Sequence, residues 1–408
     1  MIKPATTPLI EEGTASLQLA QHAVEVRGSP AAPAAATPAR ERFDVVVIGG
    51  GQAGLSVGYH LARSGVNFTI LDAHERIGDA WRQRWDSLRL FTPARLDGLD
   101  GMRFPAPGSY FPTKDEMASY LESYARYFSL PVRTGVRVDR LFKRGGRYIV
   151  AAAGQEIEAG QVVVAMGPYQ KPRIPAFAEG LSGEITQLHS HEYRNLSQLR
   201  PGPVVLAGAG NSGADIAMEV SRGGHKTWLA GIDPGELPFR PEGFLGRHLF
   251  MPLVLRFVFR HVLTVNTPMG RRVRPAVLSK AVLRIRVKAR DLAAAGVERA
   301  PRIAGVRAGL PLVADGRTLQ VSNVIWCSGF HPGFDWIDLP VFAKDHGEPQ
   351  HRSGVVESQP GLYFIGLHFL HSMSSSMIHG VGHDAARIVH EITSKMSRVA
   401  PLARVGIM

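Results

Sequence analysis

Two stretches of this 408-residue chain share one design. "FDVVVIGGGQAGLSVGYHLA" starts at Phe43 and "VVLAGAGNSGADIAMEV" starts at Val204, and each passes from an apolar segment through a glycine turn into a helical pattern. In the first, Val45, Val46, Val47 and Ile48 read as a buried strand, and Gly49, Gly51 and Gly54 have GxGxxG spacing. Gly49 permits the tight turn, Gly51 lets backbone amides approach a pyrophosphate, and Gly54 lets the helix pack on the strand. The helix amino end, at Gln52 and Ala53, then faces the anion. A second strand, "NFTILD", ends in Asp72, 18 residues past Gly54 (72 − 54), where a carboxylate can take the hydroxyls of an adenosine ribose.

The second turn repeats the spacing with Gly208, Gly210 and Gly213, and Asn211 and Ser212 add side-chain donors for a phosphate. The next strand, "HKTWLA", ends at Ala230 with no acid in the equivalent place. An acid there repels a ribose 2′-phosphate, so its absence favours NADP over NAD. Arg222, Lys226 and Arg240 are the candidate phosphate partners, and Asp233 is the opposing charge. Two dinucleotide sites in one chain imply that one holds a cofactor and the other holds what reduces it, and a flavin with a nicotinamide dinucleotide is the usual pair.

The rest of the chain bounds this reading. Hydrophobic residues make up 45%, enough to fill two or three cores. Cys327 is the only cysteine, which excludes an intramolecular disulfide, a thiolate zinc site and a paired-cysteine redox centre, and fits a cytoplasmic setting. Residues 1–42 contain "GSPAAPAAATPAR" and read as a disordered tail, with "LIEEGTASLQLAQHAV" able to form one loose amphipathic helix; no secretory signal is present. Basic residues exceed acidic ones by 47 − 35 = 12, and twelve Lys/Arg fall between Arg240 and Arg290 against Glu242 alone. That segment is too interrupted by Arg256 and Arg260 to span a bilayer. It reads first as a solvated basic face with its apolar side packed inward, and second as a peripheral membrane contact. No nucleic-acid partner is expected.

Beyond the turns, the chain resembles the flavin-containing monooxygenase superfamily, over about residues 43–394, and most of all its compact bacterial CzcO-like members. "ERIGDAWR" is similar to the family segment after the acid, where Trp81 lies along the flavin. "VVVAMGPYQKPRIP", with Ala165, Met166 and Gly167, and "VIWCSGF", with Cys327, Ser328 and Gly329, resemble the two hinges between domains. "LSGEITQLHSHEYRN" is similar to the family fingerprint, although Leu181 replaces its leading aromatic, Gln187 stands where the histidine is expected, and His189 comes two residues later. His189, Ser190, Tyr193 and Arg194 survive behind that apparent insertion, and the tryptophan-proline ending of Baeyer–Villiger members is missing. The family's active-site asparagine aligns near Phe91 or Thr92, so its role does not carry over; Thr92 is expected to face the flavin instead, and Val138 is grouped with the cofactor contacts. Near the end, Gly380, Gly382 and Asp384 mark a helix whose amino end points at the flavin. Among His368, His371, His379, His383 and His390, only His379 and His383 have i, i+4 spacing, and no metal site is expected.

What the resemblance implies is an α/β architecture of two doubly wound, Rossmann-like domains, with an NAD(P) domain (196–320) inserted into an FAD domain (43–195 and 321–408). It further implies FAD and NADP as cofactors, and an NADPH-consuming monooxygenase that inserts one oxygen atom of dioxygen into a small organic substrate through a flavin C4a-hydroperoxide. Oxygenation at nitrogen or sulfur is the expected outcome, with no side-chain nucleophile required. An NAD(P)H oxidase, diaphorase or quinone reductase is the alternative enzyme, and a redox-sensing flavoprotein the non-catalytic alternative. A disulfide reductase needs two neighbouring cysteines and is excluded. The chain is expected to act as a monomer or a homodimer.

Overall fold

The computed structural model describes residues 40–279, 283–343 and 347–399. The N-terminal tail up to residue 39, its amphipathic stretch, Lys280 and the last nine residues lie outside them. The first lobe grows from β1 (Glu41–Ile48), whose Val45, Val46 and Val47 are fully buried, as both faces of a parallel strand are when covered by other elements. The strand starts at Glu41, inside the segment expected to be tail, because its amino end pairs with a long neighbour and Glu41 meets Arg133 at 2.5 Å. It leads through α1 (Gln52–Arg63) into β2 (Phe68–Leu71), α2 (Asp79–Arg82) and α3 (Lys114–Tyr127). A reciprocal cap between Thr113 and Glu116 fixes where α3 begins. Then come β3 (Val132–Arg133) and the meander β4 (Val138–Arg144), β5 (Arg147–Ala152) and β6 (Gln155–Val164). The sheet order is β3-β2-β1-β6-β5-β4, parallel from β3 to β6 and antiparallel from there. β5 covers only the first half of one edge of β6, which leaves residues 162–164 for a strand from the end of the chain.

A short strand, β7 (Lys171–Pro172), leaves the first lobe, and β8 (Thr186–His189), β9 (Val204–Ala207), α4 (Asn211–Arg222) and β10 (Thr227–Ala230) build the second. Two π-helical pieces, Gly246–Phe250 and Leu253–Val262, precede α5 (Pro268–Ser279), α6 (Ala289–Ala294) and β11 (Glu298–Ala300). After the hairpin β12 (Ile303–Arg307) and β13 (Leu310–Val313), β14 (Asn323–Trp326) completes a wholly parallel sheet of order β11-β10-β9-β14-β8. This sheet extends past the 196–320 segment at both ends. The fully buried β9 needs a partner on each edge, and β14, with β8 beyond it, supplies one of them.

β15 (Phe330–His331) then pairs antiparallel with β7, so the two chain crossings between the lobes are hydrogen-bonded to each other. β16 (Leu362–Phe364) fills the free edge of β6, and α7 (Ile378–Val399) closes the first lobe by packing along α1. Leu55, Leu61, Val381, Ile388 and Ile392 meet in that core.

Candidate functional site

At the first turn the backbone is built around absent side chains. Gly49 has φ +110°, and a Cβ there would stand 2.8 Å from the carbonyl of Ala165. A Cβ on Gly54 would lie 1.8 Å from Gly49 O, so the helix touches the turn. Gly51, by contrast, faces open space, and no acidic residue or side-chain cap occupies the first turn of α1. Its amino-terminal amides therefore form an anion cradle of the polarity that suits a pyrophosphate. Gln52 Nε2 donates to Ser376 O at 3.1 Å, and Ala53 lies under Gly366, tying the cradle to the segment before α7. Asp72 stands beside it, accepting from Gly50 N at 2.5 Å and from His74 N and Nδ1 at 2.7 and 2.9 Å. Burial disfavours the Asp72 charge, but these hydrogen bonds outweigh it and hold the carboxyl below its ordinary range. Val136 N donates to Asp72 O at 2.8 Å, which places Val138, two residues on, near the same corner.

The second turn has the same backbone. Gly208 has φ +128° and abuts Cys327 O, Gly213 abuts Gly208 O, and Gly210 caps an α4 with no acid in its first turn. Its side chains behave differently from expectation. Asn211 Oδ1 accepts from Ile285 N at 2.8 Å and Nδ2 donates to Leu283 O at 3.1 Å, so the amide clamps the 283–285 segment rather than standing free for a phosphate. No bond engages Ser212 among the described residues. Arg222 ends α4, on the order of 18 Å along the helix from Gly210, and Lys226 precedes β10 and pairs with Glu298. Both sit at the wrong end of their elements, and Arg240 is taken by Asp291 at 2.5 Å. The cations at the strand end come from elsewhere: Arg299 on β11 donates to Gly231 O at 2.8 Å, and the fully buried Arg284 holds Asp233 at 2.8 Å. The opposing charge of Asp233 is thereby answered.

Between the cradles the hinges converge. Ala165 N donates to Ile48 O, Met166 packs on the first-lobe core, and Gly167 (φ +72°) and Gly329 (φ +86°) turn the chain at the two crossings. An aromatic follows each glycine: Tyr169 and Phe330 meet edge to face at 5.6 Å. Around them gather His368, 5.3 Å from Tyr169, His189, 4.9 Å from Phe330, and the Arg84 guanidinium, 5.8 Å from the Phe330 ring centre. Burial pushes His189 and His368 down, so both are neutral imidazoles at pH 7. This cluster was missed in the sequence; its one local signal was an aromatic shortly after each hinge glycine. Trp81 packs on the cores of both lobes, in line with a position along their junction.

The fingerprint residues serve this junction. His189 Nε2 bonds Gly329 O at 3.0 Å, Ser190 N donates to Trp326 O, and the buried Tyr193 hydroxyl donates to Glu219 of α4 at 3.0 Å. Arg194 bonds the carbonyls of His191 and Tyr193. The Thr92 hydroxyl donates to Asp97, a fully buried carboxyl whose other oxygen has no partner. Burial raises Asp97 to about 8, so it is a neutral acid at pH 7. Asp384 lies buried on the second turn of α7 and bonds Arg387 at 2.8 Å. His383 turns to Arg260 at 3.1 Å while His379 Nε2 is buried without a partner, so the i, i+4 pair does not converge. Among the described residues no three potential ligands gather around a metal position.

A profile described as pyridine nucleotide-disulphide oxidoreductase matches residues 46–234. An uncharacterised CzcO-like oxidoreductase of Geobacillus kaustophilus is 37% identical over 350 residues, covering 86% of this chain and 98% of the relative. The rice indole-3-pyruvate monooxygenase YUCCA1 is 26% identical over 372 residues, 81% of this chain and 89% of the relative. Among solved structures, the flavin-containing monooxygenase of Stenotrophomonas maltophilia superposes with a TM-score of 0.68 at 29% identity, covering 87% of this chain and 99% of that one. The two cradles, the paired hinges and these likenesses agree: the chain belongs to the CzcO-like branch of the flavin-containing monooxygenase superfamily.

Proposed function

We propose that the first lobe binds FAD through Gly49, Gly51, Gln52, Ala53, Gly54 and Asp72, that the second binds NADPH through Gly208, Gly210, Ser212 and Gly213, and that the chain oxygenates nitrogen or sulfur in a small organic substrate. The observation that carries this reading is the recurrence of one glycine turn, opening a helix with no acid in its first turn, on two lobes whose hinges are hydrogen-bonded to each other. FAD held there would supply the redox chemistry by which NADPH, a proton, dioxygen and substrate would give NADP⁺, water and oxygenated product. The protein's own contribution is positional. Ala165, Met166, Gly167 and Gly329 bring the lobes together, Trp81 and Phe330 exclude water from the junction, and the amino end of α7 supplies positive potential. Thr92 and Asp97 form a neutral hydrogen-bonded pair on the first-lobe side of the site. Val138 and Asp384 support the two ends of the FAD site through the Asp72 corner and α7.

Arg299 at the end of β10 supports use of the 2′-phosphorylated donor. Disulfide reduction finds no support: Cys327 is alone, and desolvation pushes its thiol up to about 12. The single cysteine suits a cytoplasmic setting, and among the described residues no helix is long and apolar enough to cross a membrane. The test is FAD-loaded protein given NADPH in air with sulfides, amines and aryl pyruvates in turn. One equivalent of oxygenated product per NADPH supports the reading. Stoichiometric hydrogen peroxide without product makes the chain an oxidase, and no NADPH oxidation makes it a sensor.

A further inference from the structure

Residues 243–290 contain no Asp or Glu and eleven Lys or Arg. The structure sorts this segment in a way its composition does not announce. One side of the π-helical pieces is covered: Gly246, Met251 and Leu255 are buried, and the last two pack with Leu96, Phe239, Phe259 and Met377. The opposite side is bare. Leu245, Leu249, Leu253 and Phe257, spaced by four and thus aligned along one face, are with Phe244 between 49% and 77% exposed. Arg256 is exposed on the same piece, and exposed Met269, Arg271 and Arg272 continue the pattern on α5. Among the described residues no carboxylate answers these three arginines: Arg256 and Arg271 reach only backbone carbonyls. The expected inward packing of the apolar side therefore holds for only one of two apolar faces.

We propose that this face lies in the interfacial layer of an anionic lipid bilayer, with the stripe from Phe244 to Phe257 entering the acyl boundary and Arg256, Arg271 and Arg272 meeting lipid phosphates. A row of large apolar side chains flanked mainly by cations is complementary to an apolar interior under a negative surface. A second copy of the chain is a poorer occupant, because a two-fold contact through this patch sets its arginines against their own counterparts. Nucleic acid offers phosphates for the arginines and nothing for the stripe.

The test is co-sedimentation of the full, FAD-loaded chain with phosphatidylcholine vesicles, with and without phosphatidylglycerol. Binding to the anionic vesicles is expected to exceed binding to neutral ones by about tenfold or more, and to weaken severalfold as salt rises to about 0.5 M. The variant Leu249→Ser/Leu253→Ser/Phe257→Ser should lose sedimentation while keeping its melting temperature and its NADPH oxidation. Arg256→Gln/Arg271→Gln/Arg272→Gln should flatten the salt dependence. No binding to anionic vesicles at low salt overturns the proposal, as does binding that the serine variant retains. A dimer in light scattering that the serine variant dissolves assigns the face to a second copy and equally overturns it.

Discussion

The two glycine cradles have nearly the same backbone and opposite surroundings. The first has its acid supplied by the adjoining strand, with Asp72 locked by Gly50 and His74, while Ala165 and Ser376 close in from segments far along the chain. The second borrows its surroundings from distant residues: Asn211 holds 283–285, and Arg284 and Arg299 reach the end of β10 from later elements. A cradle with its own acid locked beside the turn suits a resident cofactor, and one whose neighbouring charges are borrowed from later elements suits a ligand that comes and goes. The sharpest test replaces matching glycines. Gly51 and Gly210 have ordinary φ of −77° and −74°, and a Cβ on Gly51 meets nothing within 4 Å. Gly51→Val should therefore fold with a melting temperature within about 2 °C of the parent apoprotein, yet lose FAD affinity on the order of 10³-fold, read by flavin fluorescence titration. Gly210→Val should keep its flavin colour and lose only reduction by NADPH. Loss of flavin in both would erase the distinction.

Each lobe also buries an acid, and these too differ. Asp215 on α4 meets Arg286 at 3.2 Å and is raised only to about 6, whereas Asp97 has no cation and reaches about 8. Because the folded state holds the Asp97 proton above the 3.8 of a free carboxyl, stability falls as pH rises from about 3.8 to about 8. Asp97→Asn removes that loss. Its unfolding free energy should exceed the parent's by a margin that grows through this window, on the order of 2–4 kcal/mol at the upper end. Asp215→Asn should instead destabilise, since it leaves Arg286 without its partner. A pH-independent difference for Asp97→Asn would show that the carboxyl is solvated.

A smaller effect tests donor choice. Arg299→Ala should raise the KM for NADPH about tenfold and leave that for NADH within about twofold, roughly the worth of one phosphate contact. Equal effects on both donors would mean that Arg299 only braces β10 through Gly231.

What could be read in advance follows from distance along the chain. Strand, turn, helix and acid lie within thirty residues of each other at the first cradle, where periodicity and glycine spacing report directly on structure. Arg299 and Arg284 are illegible as partners of the β10 end because only the parallel sheet brings β11 beside it, and only the bridge to Glu236 brings Arg284 to Asp233. Asp97 looks like any loop acid until the burial of its neighbours is known. In "LVLRFVFRHV" apolar residues occupy nearly every side, so which side is covered is decided by Leu96 and Met377, not by the segment itself. The same reasoning explains why the 196–320 boundaries leave β8 and β14 outside the second sheet: β14 is an apolar strand leading to a glycine, which looks alike whichever sheet it joins, and the short polar β8 has no apolar pattern to place it.

The smallest expected effect probes the fence around the first cradle. The hydrogen bond that His74 Nδ1 donates to Asp72 raises the imidazole above its usual value, so the stabilisation His74 brings is fully present below about pH 6.5 and is lost as pH rises through its raised folded value. Asp72 is depressed, so its share is present above 3.8 and is lost as pH falls through its lowered value. The pair thus helps most between about pH 4 and 6.5, by less than about 1 kcal/mol once solvent screening of the half-exposed imidazole is allowed for. His74→Ala should abolish the decline in apoprotein melting temperature above pH 6.5. It should also weaken FAD binding no more than about threefold, since Gly50 still holds Asp72 in place. A larger loss would mean that the imidazole itself, and not only the carboxylate it orients, meets the cofactor.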